Sequence, residues 1–594
     1  MEAQPGEFDE ATFTLPSHEN LNSNEAAEKI AEHFSQISRE YPPLSLATLP
    51  ERVQTKVENP EILSKVPNLS EHEVFARICA ANKPKSGVPG DLPRKLVSEF
   101  APELSTPMCA IFNNILKTAK QGIAKWPDTW RQEFGTPLQK ITNPQTEDDL
   151  RVISLTPFFS KVMESFVVKW LMDFIGSKID PKQFGGLKGN SIAHYMIELI
   201  NFILYNQDYN QPIAVLACSV DFAKAFNRQN HNLLITKLSD LGVPGWLLNV
   251  VMGFLSERSM VVRYKGATSE RKPLPGGGPQ GTLLGLLLFL ILINQCGFED
   301  QNLNIGKKIN RPKEKFKPQI FHAKYVDDLM IAESFNIKET LEPNPGRPLP
   351  DSFHNKLGQH LPEEKSLVYK QIQKIHQYAN ENEMKMNFSK TKFITFNPTI
   401  NFDFEAGLEV ADHEIESVEK MRLLGLTLTN DLKWRTNTEE MVKKAYGKLW
   451  IIKRLKKNGA CLTDLKDVFI KQVRSVLEFG VPVWNCGITQ EEVYNIERVQ
   501  KAFLYIALGQ NYTCYQSALD TLELETLEER RLQLCKTFAK RASEHPKHQK
   551  WFEKYENVGS DTRSKKTTYK TPLARLDRFK ESPIPYLTSL LNSK

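Results

Sequence analysis

The sequence of 594 residues has no apolar run long enough to cross a bilayer and no signal-peptide core at its acidic N-terminus. Its longest uncharged apolar run, residues 283–293, is about half the length that a membrane-spanning helix requires. We therefore expect a protein that is neither secreted nor embedded in a membrane. A strong charge of one sign is also missing, because 77 basic and 71 acidic residues leave a net charge of only +6. That balance neither requires nor excludes a nucleic-acid partner.

Paired cysteines are missing as well. The eight cysteines are scattered and form no C-x-x-C pair, which is typical of reduced thiols in the nucleus or the cytoplasm. His545 and His548 form an H-x-x-H near Cys535, but a zinc knuckle needs a second cysteine close by. The sequence therefore predicts a solvated helix end at this position rather than a metal site.

The most informative segment is FHAKYVDDLMIA, residues 321–332. Two short apolar runs flank Asp327 and Asp328, which predicts a tight β-hairpin with carboxylates near its turn. A third carboxylate, Asp221, follows the apolar run IAVLACSV, which predicts a buried strand over residues 213–220. Because like charges repel, three clustered aspartates require a cation, and Mg²⁺ prefers oxygen ligands. The pattern predicts a two-metal phosphoryl-transfer site; the alternative is that Asp327 and Asp328 form a solvated turn.

Two glycine-rich segments add candidate binding residues. QFGGLKGNS, residues 183–191, favours a loop that presents Lys188 to a phosphate, or else an ordinary surface lysine. In residues 276–294, three glycines, a proline and Gln280 precede a helix that is apolar enough to be buried. Glycines permit close backbone approach, and a helix N-terminus offers N–H groups to phosphates or bases. The alternative is a simple turn before a core helix.

The C-terminal third of the chain has a helical pattern over residues 438–548. Within it, KLWIIKRLKK at residues 448–457 pairs an apolar stripe with a basic one. We interpret this segment as a helix that packs on its neighbours and faces phosphates, in preference to a membrane-surface helix. The polar and basic residues from about 556 onward predict a loose tail.

Taken in order, these segments resemble a known family. DFAKAFN (221–227), GGPQGTLLG (277–285), KYVDDLMI (324–331), NFSKTKF (387–393) and LLGLTL (423–428) follow the order of reverse transcriptase palm motifs. GVPGDLP (87–93), RVISLTPFFSKVME (151–164) and QFGGLKGNS (183–191) resemble the finger motifs of non-LTR (LINE-type) retrotransposons, especially the Jockey-like group. LEFGVPVWN (477–485) and IERVQKAFLYIALG (496–509) resemble their thumb. The resemblance covers residues 25–555.

This resemblance implies an α+β fold, the right-handed polymerase fold with fingers, a helical thumb, and a palm whose antiparallel sheet carries the catalytic aspartates. It predicts a polar N-terminal tail with one helix (1–45), fingers and palm (46–400), a last palm hairpin with the helical thumb (401–555), and a basic C-terminal tail (556–594). The implied activity is that of an RNA-directed DNA polymerase, which adds dNTPs to a primer 3′-OH on an RNA template.

The resemblance also implies roles for matching residues. Two Mg²⁺ ions, with Mn²⁺ as an alternative, would be held by the catalytic residues Asp221, Asp327 and Asp328 and by the backbone carbonyl of Phe222. The incoming nucleotide would meet Arg151, Lys188, Phe226, Gln280, Gly281 and Lys390. Phe226 would exclude a ribose 2′-OH unless it is a core residue, and Lys390 or Lys392 would protonate the leaving pyrophosphate. Nucleic acid would meet Tyr325, Gly425, Lys453, Arg454 and Lys457.

Some positions depart from the family pattern and leave other functions open. Asn227 and Val152 replace an aspartate and a proline, and Leu187 stands where an aromatic residue or arginine is common. These departures leave open a decayed, non-catalytic RNA-binding relic. A viral-type RNA-dependent RNA polymerase is a second alternative, although the YVDD motif and Phe226 speak against it. No endonuclease precedes residue 25, so we expect any endonuclease to act as a separate partner; the oligomeric state is not predicted.

Overall fold

A computed structural model describes most of the chain: residues 13–58, 66–81, 87–296, 316–340, 342–343, 359–397, 404–405, 407–555 and 569–593. The chain divides into two compact units. The first unit comprises Met1–Asp180, Phe222–Gly297 and Ile375–Met386. The second unit comprises Pro181–Asp221, Phe298–Lys374 and Asn387–Lys594.

Most strands are short, and only a few build the two larger sheets. In chain order they are β1 (Gln132–Gln139), β2 (Leu150–Leu155), β3 (Ile213–Val220), β4 (Ser259–Tyr264), β5 (Ala267–Thr268), β6 (Lys272–Pro273), β7 (Gln319–Tyr325), β8 (Asp328–Asn336), β9 (Glu342–Pro343), β10 (Gln359–His360), β11 (Lys392–Phe396), β12 (Phe404–Glu405), β13 (Glu409–Val410), β14 (His413–Glu414), β15 (Glu416–Ser417), β16 (Lys420–Leu423) and β17 (Leu426–Thr429).

The first unit combines helices with a sheet in the order β2-β1-β4-β5, in which β6 also pairs with β4. β1 is antiparallel to β2 and parallel to β4. The motif at residues 151–164 forms most of β2 and the first part of the helix Phe158–Ile175. The α-helices of this unit are Ser23–Ser38, Glu51–Glu58, Glu71–Ala81, Arg94–Glu99, Ala101–Ala119, Asp128–Arg131, Phe158–Ile175, His231–Asp240, Gly245–Leu255 and Leu283–Leu292.

Two helices of the first unit show how sequence determines their place. Ser23–Ser38 begins at a capping box formed by Asn22 and Glu25, which satisfies backbone N–H groups that a helix start leaves unpaired. Its apolar residues share a core cluster with residues of β2 and β4. Leu283–Leu292 is apolar on nearly every side, and most of its residues are buried, as predicted. Thr282 caps it by accepting a hydrogen bond from Gly285 N (3.1 Å).

The second unit contains the sheet β15-β11-β3-β8-β7. β3 is antiparallel to both β8 and β11, and β7 is antiparallel to β8. Every residue of β3 except Ser219 is buried, in agreement with the prediction of a buried strand over residues 213–220. The helix Ile192–Gln207 packs against β3 and β7 and buries fourteen of its residues, so one face of the sheet is covered.

Helices dominate the rest of the second unit, as the periodicity of residues 438–548 predicts. A single apolar core extends from the sheet into these helices. Among the helices of the described chain, none is long and apolar enough to cross a membrane. The helices are Ile192–Gln207, Ile337–Thr340, Leu367–Glu381 (from Ile375 in the first unit), Arg435–Lys457, Leu462–Val468, the π-helical Phe469–Arg474, Ser475–Leu477, Val481–Trp484, Gln490–Leu508, Tyr515–Leu522, Leu527–Glu544, Asp577–Lys580 and Pro583–Asn592.

The prediction of a loose tail is wrong for residues 569–593. The helix Pro583–Asn592 packs against Ile192–Gln207 and buries Ile584 and Leu587. Asp208 Oδ1 accepts hydrogen bonds from the backbone N–H groups of Arg575 (3.0 Å) and Leu576 (2.7 Å). Local composition concealed this packing because its partners lie more than 360 positions away in sequence. Residues 556–568 of the predicted tail lie outside the described chain.

The prediction of a solvated helix end at His545 and His548 is also wrong. His548 is fully buried, its ring stacks on that of His194 at 4.0 Å between centroids, and Nε2 lies 3.0 Å from Asn190 Oδ1. Burial lowers the pKa of His548 to about 2, so the imidazole is neutral. The contacts of His548 with His194 and Asn190 therefore join the end of Leu527–Glu544 to the segment around residue 190.

Candidate active site

The hairpin that carries Asp327 and Asp328 is formed by β7 and β8, as predicted. Tyr325 pairs with Asp328, so Val326 and Asp327 alone form the turn. On the other edge of β8, Val220 of β3 pairs with Leu329. Asp221 follows Val220 and Asp328 precedes Leu329, so this register brings the two residues to the same end of the sheet. The structure thus brings three aspartates, all half-buried, to one end of the sheet.

The turn itself has unfavourable backbone geometry. Val326 has a φ of +58°, which is uncommon for a β-branched residue. A positive φ at the first central residue alone is the pattern of a type II′ hairpin turn. Gln183 Oε1 accepts hydrogen bonds from Val326 N (3.0 Å) and Gly185 N (2.8 Å). The segment around Gln183 therefore holds a strained turn in place beside the aspartates.

The glycines of QFGGLKGNS are explained by packing within the second unit. Phe184 N donates to Lys324 O (2.8 Å), and Lys324 N donates to Lys182 O (2.9 Å), so the segment lies against the hairpin. A Cβ atom on Gly185 would lie 2.5 Å from Val326 N, which leaves no room for a side chain. A Cβ atom on Gly189 would collide with the His545 ring. Lys188 is exposed, and its role toward a phosphate stays a prediction.

A buried tyrosine that the sequence analysis missed lies close to the hairpin. Tyr195 belongs to the helix Ile192–Gln207, and its hydroxyl has no hydrogen-bond partner among the described residues. Burial, with a smaller effect of the Asp328 charge, raises the pKa of Tyr195 well above its usual value. Its ring meets the Tyr325 ring edge-on at 6.3 Å between centroids. Nothing in the local sequence around Tyr195 signals its proximity to Asp328.

On the other side of β3, the segment before β11 fixes the backbone of Asp221. Asn387 N donates to Asp221 O (2.8 Å), and Asp221 N donates to the buried Thr391 Oγ1 (3.3 Å). Lys390 is exposed in this turn, whereas Lys392 Nζ forms an ion pair with Glu416 (2.8 Å). Of the two lysines predicted to protonate pyrophosphate, Lys390 is the more available.

The predicted nucleotide-binding residues Arg151, Phe226, Gln280 and Gly281 belong to the first unit, as does Phe222, whose backbone carbonyl is a predicted metal ligand. Phe222 is buried and forms a β-bridge with Met386. The Phe226 ring stacks on Phe289 at 4.9 Å between centroids but remains half-buried, so packing and a contact with a ligand are both available to it. Arg151 is exposed on β2.

The loop Gly276–Gln280 is tied to its neighbours almost entirely through backbone atoms. Gly278 N donates to Phe226 O (2.7 Å), and Ser154 N donates to Gln280 O (2.9 Å). His231 Nε2 lies 2.6 Å from Gly277 O; because a carbonyl only accepts, this nitrogen carries the proton. Burial lowers the pKa of His231 to about 4, which keeps the ring neutral. The Gln280 side chain is half-buried, and Gly281 is exposed.

A second turn and a groove complete the second unit's candidate surface. Leu424 and Gly425 join β16 to β17 with φ values of +49° and +88°, the type I′ pattern that favours glycine. Gly425 is exposed beside Phe479, whose Cε1 atom would lie 3.0 Å from an added Cβ. A groove of about 770 Å³ opens here, and its lining includes Arg422, Gly425, Lys443, Lys444 and Phe479.

The predicted basic stripe lies on the helix Arg435–Lys457. Lys453, Arg454 and Lys457 are exposed on it. Lys456, which belongs to the same basic run, instead donates from Nζ to Ile506 O (2.6 Å) and so joins two helices. Sequence reasoning missed Lys443, Lys444 and Phe479, although two adjacent lysines on a helix after the last hairpin were a usable signal.

The donor set fits a hard divalent cation. Within the described part of the chain, no group of three His, Cys, Asp or Glu side chains forms a ready-made metal cage. Mg²⁺ does not need one, because it is commonly held by one or two carboxylates together with water and substrate phosphates. Asp221, Asp327 and Asp328 supply oxygen donors of that kind.

Comparisons with known proteins agree with this geometry. Residues 141–428 match the family described as "Reverse transcriptase (RNA-dependent DNA polymerase)". A probable RNA-directed DNA polymerase from transposon BS of Drosophila melanogaster is 22% identical over 395 residues, which cover 65% of this chain and 39% of that protein. The RNA-directed DNA polymerase from mobile element jockey of the same species is 31% identical over 187 residues, 31% of this chain and 20% of that protein. The chain thus spans well under half of these relatives.

Solved structures give a weaker likeness. A telomerase from Candida albicans, solved with a fragment of telomeric RNA, is 11% identical with a TM-score of 0.29. The match covers 74% of this chain and 66% of that one. A likeness at this level carries no argument about the site.

The chain therefore carries a reverse transcriptase domain, a class that generally depends on divalent metal ions. Its relatives are the polymerases of Jockey-like and other non-LTR mobile elements, which confirms the resemblance seen in the sequence. The expected fold class, an α+β polymerase fold with fingers, palm and thumb, is also confirmed. By the resemblance to that fold, we refer to the sheet with the three aspartates as the palm sheet and to the helices from Arg435–Lys457 onward as the predicted thumb. The division into four segments and the roles of individual residues stay predictions.

Proposed function

We propose that this chain copies an RNA template into DNA by adding dNTPs to a primer 3′-OH. The observation that carries the proposal is the convergence of Asp221, Asp327 and Asp328 at one end of the palm sheet. Three carboxylates on a rigid sheet end are an expensive arrangement unless cations neutralise them. The alternative interpretation is that Asp327 and Asp328 form a solvated turn. That interpretation does not explain why Asp221, which follows a different strand, lies at the same end of the sheet.

Two Mg²⁺ ions, for which Mn²⁺ is an alternative, would be held by Asp221 and Asp327, with contributions from Asp328 and the Phe222 carbonyl. When bound, such ions activate a hydroxyl and stabilise charge on the transferring phosphate. The protein's own contribution is to hold these carboxylates in position. Strand register brings Asp221 and Asp328 to the same end of the sheet, and Gln183 holds the turn that carries Asp327.

The remaining predicted residues supply contacts to substrates. Arg151, Lys188 and Lys390 are exposed cations suited to a triphosphate, and Lys390 is suited to protonate pyrophosphate. Gln280 and Gly281 would meet the incoming nucleotide and the template. Tyr325 and Gly425 would meet the primer strand, and the phosphates of the nucleic acid would meet Lys453, Arg454 and Lys457.

The partners follow from the reaction. They are an RNA template, a DNA primer and dNTPs, and we include an endonuclease on a separate chain as the source of a primer end. We also propose that the protein works in a reducing compartment, the nucleus or the cytoplasm. In support, all eight cysteines are free thiols.

Primer extension tests this function. The purified chain should extend a DNA primer on an RNA template with dNTPs and Mg²⁺, and chelation should stop the reaction. Incorporation of NTPs in preference to dNTPs would instead indicate an RNA-dependent RNA polymerase. Binding of the primed RNA with neither kind of incorporation would indicate a non-catalytic relic.

Sugar choice tests the role of Phe226. Phe226→Ala should raise NTP use relative to dNTP use, because removal of the ring would open space for a 2′-OH. Phe13→Ala is the matched control, since Phe13 is also half-buried and packs on another ring, Tyr264, at 5.6 Å. Equal losses for both sugars, together with a lower melting temperature, would assign Phe226 to the core.

A further inference from the structure

The helix Arg435–Lys457 exposes aromatic rings on the side that faces solvent. Tyr446 and Trp450 are 37% and 58% exposed, although large aromatic side chains are usually well covered in folded proteins. They lie one turn apart, and Lys443, Lys453 and Lys457 continue the same face at helical spacing. The residues that pack into the core, such as Ala445 and Leu449, lie on the opposite face. Packing within the chain therefore does not explain these rings.

After Glu439 and Glu440, the same helix carries charge of one sign. Residues 441–457 contain seven lysines and arginines and no aspartate or glutamate. A helix that needed charge only for solubility would gain stability from alternating signs, because like charges at i and i+4 repel. The absence of any carboxylate in this segment indicates an anionic partner.

Gly447 lies at the edge of this face, one turn from Lys443 and Trp450, and has no structural reason to be glycine. No atom lies within 4 Å of the position that its Cβ would occupy. A glycine inside a helix costs about 1 kcal/mol relative to alanine. Glycine is the residue that allows the backbone of another molecule to approach closely. The surface of the helix therefore leaves room for the backbone of another molecule beside Tyr446 and Trp450.

The neighbouring helix Gln490–Leu508 repeats the pattern. Tyr494 and Tyr505 are 57% and 65% exposed and share a face with Arg498 and Lys501. The Arg498 guanidinium lies 5.9 Å and Lys501 Nζ lies 5.6 Å from the centre of the Tyr494 ring. The one carboxylate between Tyr494 and Tyr505, Glu497, already accepts hydrogen bonds from the Tyr515 hydroxyl and the Leu527 backbone.

The two helices are packed side by side. Thr438 Oγ1 donates to Glu492 Oε1 (2.8 Å) near their N-termini, and Lys456 Nζ donates to Ile506 O near their C-termini, so they are parallel. Between their N-terminal halves lies a groove of about 500 Å³, whose lining carries both signs of charge: Lys433, Arg435 and Lys443 with Glu439, Glu491 and Glu492. The groove connects the two exposed faces. Together, these faces form the basic–aromatic face: Lys443, Tyr446, Trp450, Lys453, Arg454 and Lys457 with Tyr494, Arg498, Lys501 and Tyr505.

We propose that the basic–aromatic face binds single-stranded RNA, the part of the template that lies outside the duplex. Exposed rings can stack on bases only where the bases are unpaired, and cations between the rings suit the phosphates of the same strand. RNA is the single strand that the proposed copying reaction supplies, so the choice of RNA rests on the proposed function. Lys453, Arg454 and Lys457 were proposed above to contact phosphates of the duplex. On this proposal, the face that contains them also contacts the unpaired template.

Binding of labelled oligonucleotides tests the proposal without any need for polymerase activity. The unmodified chain should bind a pyrimidine-rich single-stranded RNA, and Trp450→Ala should weaken that binding about tenfold, in line with the loss of one base stack. Trp450→Phe should retain most of the affinity. A blunt RNA–DNA hybrid should bind the unmodified chain and Trp450→Ala alike. Tyr555→Ala is the matched control: Tyr555 is 47% exposed and lies 5.8 Å from Lys570 Nζ, but that lysine is paired with Glu553.

Gly447→Ala provides an independent check. Alanine favours the helix, so the melting temperature should rise, while the added methyl group should obstruct the RNA and lower its affinity. A single-stranded RNA affinity unchanged in both Trp450→Ala and Gly447→Ala overturns the proposal. So does an equal loss of affinity for the blunt hybrid. Concentration-dependent self-association that Trp450→Ala abolishes would make a second copy of the chain the occupant instead. If primer extension fails while these binding differences hold, the copying function is wrong and the RNA-binding face stands.

Discussion

The palm hairpin and the pair of thumb helices place their functional groups in opposite ways. At the end of the palm sheet that carries the hairpin, three carboxylates lie together, and strand register and a strained turn fix the backbones that carry them. On the helices Arg435–Lys457 and Gln490–Leu508, cations and rings are spread over several turns of exposed surface. The groups proposed for catalysis, which need fixed geometry, lie on paired strands. The cations proposed to attract a polyanion lie on exposed helical faces.

This contrast implies different responses to mutation. A small shift of the hairpin displaces all of its carboxylates relative to a substrate, so the palm should be intolerant of single changes. If each thumb cation makes a separate, screened contact with nucleic acid, as proposed, its loss should have a graded effect that depends on salt. The following predictions test whether the two regions differ in this way.

The largest of these effects should come from Gly185→Ala. Its Cβ would lie 2.5 Å from Val326 N, so the turn or the segment 182–185 must move. Displacement of catalytic groups by about 1 Å can cost on the order of 100-fold in rate, so primer extension should fall by about that factor. Gly407→Ala is the control, because nothing lies within 4 Å of its added Cβ. Activity that remains near normal in Gly185→Ala would show that the palm tolerates displacement of its turn. The palm and the thumb would then not differ in their response to mutation.

An intermediate effect should come from removing positive charges from the thumb helix Arg435–Lys457. Lys453, Arg454 and Lys457, changed together to Gln, should flatten the salt dependence of hybrid binding by about 0.9 per contact, or about 2.7 in all. Affinity should fall mainly at low salt, because fewer counterions are released. The measurement is the slope of log affinity against log salt for an RNA–DNA hybrid.

The matched control for the thumb is the change of Lys95, Lys117 and Lys120 to Gln, which removes the same charge from exposed positions of the first unit. Its slope should change less. A thumb variant whose slope equals that of the unmodified chain would assign these residues to solubility alone, whatever the absolute affinity.

The smallest effect should be a pH dependence of stability where the thumb's last long helix meets the segment around residue 190. Burial, with smaller contributions from neighbouring histidines and Lys547, lowers the pKa of His548 to about 2 and that of His194 to about 4. Both histidines should titrate near 6.5 in the unfolded chain, which then binds more protons than the folded chain below that pH. Stability from these groups is therefore present above about pH 6.5 and is lost as the pH falls toward 4.

Urea midpoints at about pH 7.5 and about pH 5.5 measure this loss. The charged groups that face the cluster are His545, Lys547, Lys550 and Glu198. His548→Gln, which keeps a donor toward Asn190, should reduce the difference between the two midpoints. The exposed His72→Gln should leave it unchanged. The same pH dependence in His548→Gln would show that another group is responsible.

Much of the palm could be predicted because its signals are local. The apolar run of β3 and the turn between β7 and β8 are readable within a dozen residues, and the observed bounds of β3 match the prediction. The supports of the site could not be predicted in this way. Contacts such as Gln183 with Val326 and Asn190 with His548 join residues 143 and 358 positions apart, and periodicity carries no information at that range. The basic run at residues 448–457 was readable, but the exposure of Trp450 depends on which face the neighbouring helices cover.

The most direct test of the account is primer extension by Asp221→Asn and Asp327→Asn. Asparagine keeps the shape of the side chain and removes the charge, so the fold should persist, as a melting temperature close to that of the unmodified chain would show. The account predicts that each variant loses nearly all dNTP incorporation on an RNA template while its affinity for the primed template is retained. Retention of more than about a tenth of the activity, a deficit of only ~1.4 kcal/mol in the barrier, would contradict the assignment of these aspartates to catalysis.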